Sequence, residues 1–112
     1  MFNYHNKMFR SVSNTSNGEV SNETFFHYQQ TGSIVTAYYE GGSIKQGHLI
    51  AIVHENGCLD MRYHHINTAG ELMTGICTSE PEALPNGKLR LHEKWQWTSG
   101  EKTDGTSIVE EV

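Results

Sequence analysis

Glycine-containing dipeptides divide this chain into short segments, and they constrain its fold more than any other feature. Asn-Gly and Gly-Gly pairs supply the positive φ angles that tight hairpin turns require. The segments between them are rich in Val, Ile, Thr, Tyr, Phe and Trp, which favour β-strands. The sequence therefore predicts a series of strands joined by tight turns. The predicted turns are Asn17-Gly18, Thr31-Gly32, Gly41-Gly42, Asn56-Gly57, Ala69-Gly70 and Asn86-Gly87.

The same pattern predicts eight strands and almost no helix. No stretch combines a helical spacing of apolar residues with a capping residue and few glycines. A meander of eight strands usually closes, because an open edge exposes unpaired backbone groups to other chains. The sequence therefore predicts one all-β domain over residues 1–112, an eight-stranded antiparallel up-and-down barrel. Its strands are expected at residues 7–13, 22–30, 33–40, 43–55, 58–68, 71–80, 88–98 and 106–111.

Composition excludes several classes of partner. The 8 Lys and Arg residues against 13 Asp and Glu residues give a net charge of −5, which argues against nucleic acid and anionic membranes. No apolar run approaches the roughly 20 residues that cross a bilayer. The first ten residues, MFNYHNKMFR, lack a basic-then-apolar signal pattern, so we expect a cytoplasmic protein. Cys58 and Cys77 are expected to be free thiols, because the predicted register holds them beyond disulfide distance.

The turns also predict which side chains face the barrel interior, because a two-residue turn sets the register of its hairpin. If every dipeptide is such a turn, Ile50 lies opposite Tyr63, which lies opposite Ile76. The same logic places Phe9 opposite Phe26. The predicted pairs fall on one apolar face, which should line the interior. This face comprises Phe9, Phe26, Tyr28, Val35, Ala37, Tyr39, Ile44, Ile50, Ile52, Leu59, Met61, Tyr63, Leu72, Ile76, Leu89, Leu91, Trp95 and Trp97.

Several polar side chains share the predicted inward face. Such groups are costly inside a barrel unless they are paired, hydrogen-bonded or in contact with a ligand. His48, His65 and Thr74 should form one cross-strand row beside Tyr63 and Trp97, an arrangement that suits a small-ligand pocket. Alternatively, the row closes the barrel end by hydrogen bonding, in a barrel filled by its own side chains. The inward polar residues are Gln46, His48, His65, Thr74, Thr78 and Glu93.

Motifs for catalysis or metal binding are missing from the sequence. His48 and His65 could supply two imidazoles, but a zinc site needs three or four ligands. The sequence contains no HExxH, GxSxG, Walker A or Rossmann glycine pattern. It therefore predicts no catalytic residue, no metal and no cofactor. Glu93 is expected near the opposite rim with His54, in a salt bridge with an arginine.

The predicted outer face of the middle strands is unusually apolar. A solvated antiparallel strand would alternate polar and apolar residues, and an apolar outer patch often marks a subunit interface. The sequence therefore predicts a homo-oligomer that packs through strands 43–55, 58–68 and 71–80. The expected outer apolar residues are Leu49, Ala51, Val53, Ile66, Met73 and Cys77.

Four stretches carry a resemblance to a known family. They are similar to a family of short bacterial proteins of unknown role, and the similarity covers nearly the whole chain. Members are often labelled N-acetylglutamate synthase, and they resemble avidin in barrel architecture. The resemblance implies an avidin-like barrel, and the label implies acyl transfer. That enzyme class resembles an α/β acetyltransferase with a glycine-rich pyrophosphate loop, which this sequence lacks. The stretches are FRSVSNTSNGEVS, GHLIAIV, LDMRYHHIN and GELMTGICTSEPEALPNGKLRLHEKWQWTSG.

Three functions stay open at this stage. The first is non-catalytic binding of a small molecule inside the barrel. The second is a structural or protein-interaction role of the outer surface, with a filled barrel. The third is the acetyltransferase activity of the label, for which His48 or His65 would be the general base. We rank them in that order. The predicted ligand-binding residues are Tyr39, His48, Tyr63, His65, Thr74 and Trp97.

Overall fold

Eight antiparallel strands form a closed barrel in the computed structural model, which describes residues 2–112. Each strand pairs with the next along the chain, and β8 pairs with β1 to close the sheet. The predicted all-β up-and-down barrel is therefore confirmed. The described part of the chain has no helix that could span a lipid bilayer. The strands are β1 (Lys7–Asn14), β2 (Phe25–Thr31), β3 (Ile34–Gly41), β4 (Ile44–Val53), β5 (Leu59–Asn67), β6 (Leu72–Ala83), β7 (Leu89–Trp97) and β8 (Asp104–Glu111).

Alternating large side chains from all eight strands fill the barrel interior. Along β3, for example, Val35, Ala37 and Tyr39 are buried while the residues between them are exposed. This period of two places one face of each strand in the core. The prediction is confirmed for most of the inward face. The confirmed buried residues are Phe9, Phe26, Tyr28, Val35, Ala37, Tyr39, Ile44, Leu59, Met61, Leu89, Leu91, Trp95 and Trp97, and Tyr63 packs against them.

Three hairpin loops contain one residue more than the sequence pattern predicted. At the β4–β5 connection the Gly57 N–H donates to His54 O, and the His54 N–H donates to Cys58 O, which leaves three residues in the loop. The β5–β6 and β6–β7 connections repeat this arrangement. The last loop residue in each is a glycine at positive φ, as in a type I turn followed by a left-handed residue. The glycine is thus the third residue of a longer loop and not the second of a two-residue turn.

The extra loop residue moves the register by one position, and it exchanges the faces of β6 and of β4 from Gln46 onwards. Ile44 stays inward because β4 has a β-bulge between Ile44 and Gln46. Leu49 pairs with Tyr63, and Cys77 pairs with Met61. Because side chains alternate, a shift of one residue exchanges the inner and outer faces. The inward prediction was therefore wrong for Ile50, Ile52, Leu72 and Ile76, and the outward prediction was wrong for Leu49, Ala51, Val53, Met73 and Cys77. Ile66 is exposed on the outer face, as predicted.

The remaining register predictions had mixed outcomes. Phe9 pairs with Phe26, as expected. In the β2–β3 hairpin the two loop residues are Gly32 and Ser33, so Tyr28 pairs with Ala37 and not with Val35. This shift of two residues leaves the faces unchanged. Both cysteines are free, in agreement with the prediction.

Both ends of the barrel are covered by chain outside the strands. At one end Tyr4 is fully buried, and its hydroxyl donates to Gly57 O at 2.6 Å. At the other end lies the β1–β2 loop (residues 15–24), where the Trp97 Nε1–H donates to Asn17 O at 3.0 Å. The Trp95 Nε1–H donates at 3.1 Å to Oδ1 of Asn14, the last residue of β1, and the Asn14 Nδ2–H donates to Val20 O in the loop at 2.9 Å. The two indoles therefore hold the β1–β2 loop across the barrel opening.

Three aromatic rings each lie against a glycine of the neighbouring strand. Tyr39 pairs with Gly47, Tyr63 with Gly75, and Trp95 with Gly105. A Cβ atom on any of the three glycines would overlap the facing ring. Strand glycines of this kind permit a close approach of neighbouring groups. They allow the rings to lie flat across the sheet, inside the barrel.

We predict that Gly75→Ala lowers the free energy of unfolding by about 1–3 kcal/mol, because the methyl group must displace the Tyr63 ring in a packed interior. Thr78→Ala is the matched control, since Thr78 is exposed on the outer face of the same strand. The control should change stability by about 0.5 kcal/mol or less. Urea denaturation followed by circular dichroism measures both. Equal stability of the two variants would contradict the close packing of Tyr63 on Gly75.

Candidate ligand-binding site

A cavity lies inside the barrel beneath the β1–β2 loop. Its volume is about 50 Å³, which is more than a single water molecule requires. Its lining is mainly aromatic, and three ionisable side chains accompany the rings. The aromatic residues are Phe26, Tyr39, Tyr63, Trp95 and Trp97, and the ionisable ones are Glu19, His65 and Glu93.

The aromatic walls form a connected set of edge-to-face contacts. The ring centroids of Trp95 and Trp97 are 5.5 Å apart at 61°, and those of Tyr63 and Trp97 are 5.9 Å apart at 65°. His65 also packs edge-on against Trp97, at 5.7 Å. Such contacts add to the stabilisation that burial itself supplies. Together with the indole hydrogen bonds to the loop, they hold the walls in defined positions.

His65 lines the cavity and hydrogen-bonds to Glu19 of the β1–β2 loop. Its side chain is 1% exposed, its Nδ1 lies 2.9 Å from the Tyr39 hydroxyl, and its Nε2 lies 2.7 Å from Glu19 Oε1. An ionised carboxylate only accepts hydrogen bonds, so the ring proton is assigned to Nε2. Nδ1 then accepts from the Tyr39 hydroxyl. The second carboxylate oxygen of Glu19 accepts from Asn67 Nδ2 at 3.0 Å.

Burial controls the ionisation of these groups. Desolvation lowers the pKa of His65 below its usual 6.5, and it outweighs the hydrogen bond and the charge of Glu19, which act in the opposite direction. Burial also raises the pKa of the Tyr39 and Tyr63 hydroxyls above their usual range. The site at neutral pH therefore combines an uncharged imidazole with protonated tyrosines.

Glu93 extends from β7 into the interior, one inward position away from Trp95. Its Oε2 accepts from the Ser79 hydroxyl at 2.8 Å, and its Oε1 accepts from the Ser107 hydroxyl at 3.0 Å. Burial raises the pKa of this carboxyl above its usual range, and the two hydrogen bonds, which act in the opposite direction, offset only part of that rise. The predicted rim salt bridge with an arginine was wrong, because the carboxylate lies between two serines of the neighbouring strands.

Four of the six predicted ligand-binding residues line the cavity: Tyr39, Tyr63, His65 and Trp97. Whether they contact a ligand stays a prediction. The prediction that His48 and Thr74 face inward was wrong. His48 is exposed and lies beside His64 on the outer face, with ring centroids 5.8 Å apart.

Thr74 also faces outward, and its hydroxyl hydrogen-bonds that of Thr98 at 2.7 Å. The loop residue that reverses β4 and β6 accounts for both errors, and it also turns Gln46 and Thr78 outward. The predicted polar row of His48, His65 and Thr74 therefore does not exist. Only its central member reaches the interior.

Sequence reasoning missed two features of the cavity. Glu19 lies in the β1–β2 loop, 46 residues from His65 in sequence, and no local pattern indicates their contact. Glu93, which interrupts the inward apolar series between Leu91 and Trp95, faces inward as predicted, but it lies at the cavity and not at the rim. Within residues 2–112, no three His, Cys, Asp or Glu side chains come close enough together to hold a metal ion.

The closed meander with a cavity at one end defines a small up-and-down β-barrel with an accessible interior. The family model described as Avidin-like protein matches residues 2–112. The chain therefore belongs to this family, and the avidin-like resemblance is confirmed. No curated protein and no solved structure matches the chain.

We predict that His65 makes the stability of the folded protein depend on pH. Because its pKa is lowered on folding, the unfolded chain takes up a proton at this imidazole first as the pH falls through about 6.5. The free energy of unfolding should therefore decrease below that pH, and it should increase again as the pH rises. His65→Gln should remove this contribution, which corresponds to at most one proton per molecule.

Urea denaturation between about pH 5 and pH 8 tests this dependence. His54→Gln is the matched control, because His54 is exposed at the β4–β5 loop, at the opposite end of the barrel. The control should keep the slope of the unmodified protein. A slope that is lost in the His54 variant and kept in the His65 variant would contradict the assignment.

Proposed function

We propose that the protein is a non-catalytic module that binds a small molecule in the barrel cavity. The observation that carries this proposal is the cavity itself, with rigid aromatic walls and a few inward polar groups. Small-molecule sites typically combine an apolar lining with a few placed polar groups. Membership of the Avidin-like family supports a barrel of this kind.

The lining residues have distinct roles in this proposal. Trp97 and Tyr63 provide the apolar contact surface. His65 and Tyr39 already hydrogen-bond each other, so they shape the wall. The Tyr63 ring lines the cavity, and its hydroxyl lies against Gly75. The β1–β2 loop, held by Trp97 and Glu19, covers the bound molecule.

The geometry favours binding over acyl transfer. Both ring nitrogens of His65 are engaged, by Tyr39 and by Glu19, so neither is free to take a proton from a substrate. His48, the other candidate base, lies outside the cavity. The acetyltransferase activity suggested by the family label stays an untested prediction.

We predict that protein purified without denaturation carries a small additional mass in native mass spectrometry, and that denaturation releases it. Trp97→Ala should lose this mass while retaining the barrel's circular dichroism spectrum, because the variant removes a wall of the cavity. Gln96→Ala is the matched control, since Gln96 is exposed on the outer face of the same strand. Retention of the mass by both variants would contradict the proposal, and so would its absence from an unmodified protein that also shows no saturable binding of the small molecules tested below.

The outer surface supports a second proposal, a homo-oligomer that packs through the predicted middle strands. Ile50 and Ile52 of β4 are each 56% exposed, and Ile34 of β3, directly opposite Ile52, is 49% exposed. A group of exposed apolar side chains on neighbouring strands is typical of interfaces. The neighbouring Asp60 and Arg62 form an ion pair at 2.8 Å. This patch therefore carries both charges, and a second copy related by a two-fold axis can complement it.

We predict that the unmodified protein sediments as a species larger than a monomer, and that Ile52→Lys shifts it to the monomer. The added charge would be desolvated at the interface in both copies. Val12→Lys is the matched control, because Val12 is 45% exposed on β1, away from this patch. Analytical ultracentrifugation at micromolar concentration measures all three proteins. A monomeric unmodified protein would overturn this proposal.

A further inference from the structure

The charges that line the cavity are all of one sign. Two carboxylates, those of Glu19 and Glu93, reach it, while no lysine or arginine is among the described residues that line it. His65 hydrogen-bonds through both ring nitrogens, and burial holds it in the neutral form. In a low-dielectric interior such an imbalance has a large effect on which ligand can enter. The cavity therefore disfavours anions.

Glu93 is the more informative of the two carboxylates. Glu19 lies at the opening, with 25% of its side chain exposed, and it receives an imidazole N–H and an amide N–H. Glu93 lies among strand residues inside the barrel, and its hydrogen-bond donors are the hydroxyls of the buried Ser79 and Ser107. Burial raises the pKa of this carboxyl, because hydroxyl donors do not compensate the charge that ionisation creates. Buried charges are ordinarily paired with opposite ones. A bound ligand can supply the missing positive charge.

The aromatic walls favour the same kind of ligand. Trp95 lies one inward position from Glu93, and Trp97 and Tyr63 continue the wall towards the opening. Aromatic faces attract cations, most strongly when both partners are shielded from water. The aromatic rings and the carboxylate of this cavity thus both favour a cationic ligand.

We propose that the ligand is a small organic cation with N–H donors, such as a protonated amine or an amidinium group. This inference rests on the proposed ligand-binding function and names its ligand class. The cationic group lies at Glu93, where its N–H groups donate to the carboxylate, and the rest of the ligand packs between Trp95, Trp97 and Tyr63. Glu19 at the opening attracts the cation during entry. The small cavity volume restricts the ligand to a few heavy atoms.

Three molecules of the same planar shape test the charge preference: acetamidinium, acetamide and acetate. The chain has only 2 tryptophans, and both line the cavity, so the two indole N–H signals in a nitrogen-15 NMR spectrum report directly on binding. At constant pH and ionic strength, we expect acetamidinium to produce saturable shifts of both signals. Acetamide should bind at least about ten-fold more weakly, and acetate should give no saturable shift.

A pair of variants assigns the preference to one carboxylate. Glu93→Gln should reduce the preference for acetamidinium over acetamide to about three-fold or less. Glu80→Gln removes the same charge from the outer face of β6 and should leave the preference unchanged. Thermal unfolding confirms that both variants are folded. The comparison of the three ligands on the unmodified protein stands even if Glu93→Gln does not fold.

The outcomes separate this inference from the function on which it rests. Equal or tighter binding of acetamide or acetate would overturn the cationic ligand class and leave small-molecule binding intact. A co-purified mass in native mass spectrometry, combined with no response to acetamidinium, would also overturn only the ligand class. If no mass co-purifies and none of the three molecules shifts the indole signals, both proposals are wrong.

Discussion

Backbone hydrogen bonds in three hairpin loops set which side chains line this barrel. In each loop a left-handed glycine occupies the third position, and the flanking residues, such as His54 and Cys58, bond across it. The resulting register pairs Tyr63 with Gly75 and brings Leu49 and Cys77 inside. A register shifted by one residue would bury Ile50 and Ile76 instead. The packing, the cavity and its polar groups all depend on this choice.

The positions of three strand glycines allow the interior to combine close packing with a cavity. Gly47, Gly75 and Gly105 each face an aromatic ring of a neighbouring strand, so these rings spread along the sheet. Phenol and indole rings therefore form the cavity walls, and the indoles also hydrogen-bond to the β1–β2 loop. The fully buried Tyr4 closes the opposite end. The barrel is thus filled at one end and hollow at the other.

The two carboxyl groups inside the barrel, those of Glu19 and Glu93, have different kinds of hydrogen-bond donor. No buried side-chain nitrogen or oxygen of residues 2–112 lacks a hydrogen-bond partner. Glu19 faces the imidazole N–H of His65, which also fixes the position of the loop. Glu93 receives only hydroxyl donors and keeps an uncompensated charge when ionised. Good hydrogen bonding and charge balance are separate requirements, and the interior of this barrel meets the first more completely than the second.

The sequence by itself determined the strand count, the up-and-down order and the inward faces of five strands. On β3 and β7, for example, apolar residues alternate with polar ones, and this local period of two suffices to orient a strand. It also identified Tyr39, Tyr63, His65 and Trp97 as inward residues, because they lie on such strands. The alternation of glycine-containing turns with strand-forming segments therefore predicted the topology correctly.

The tertiary structure alone decided the faces of β4 and β6. The stretch 49–53 is apolar on both sides, so alternation cannot orient it. The length of the β4–β5 loop and the β-bulge after Ile44 make the choice. Likewise, the contact between Glu19 and His65 exists only once the barrel has closed and the β1–β2 loop covers its end. Local sequence patterns report on neighbours along a strand, whereas a cavity is assembled from residues that only barrel closure brings together.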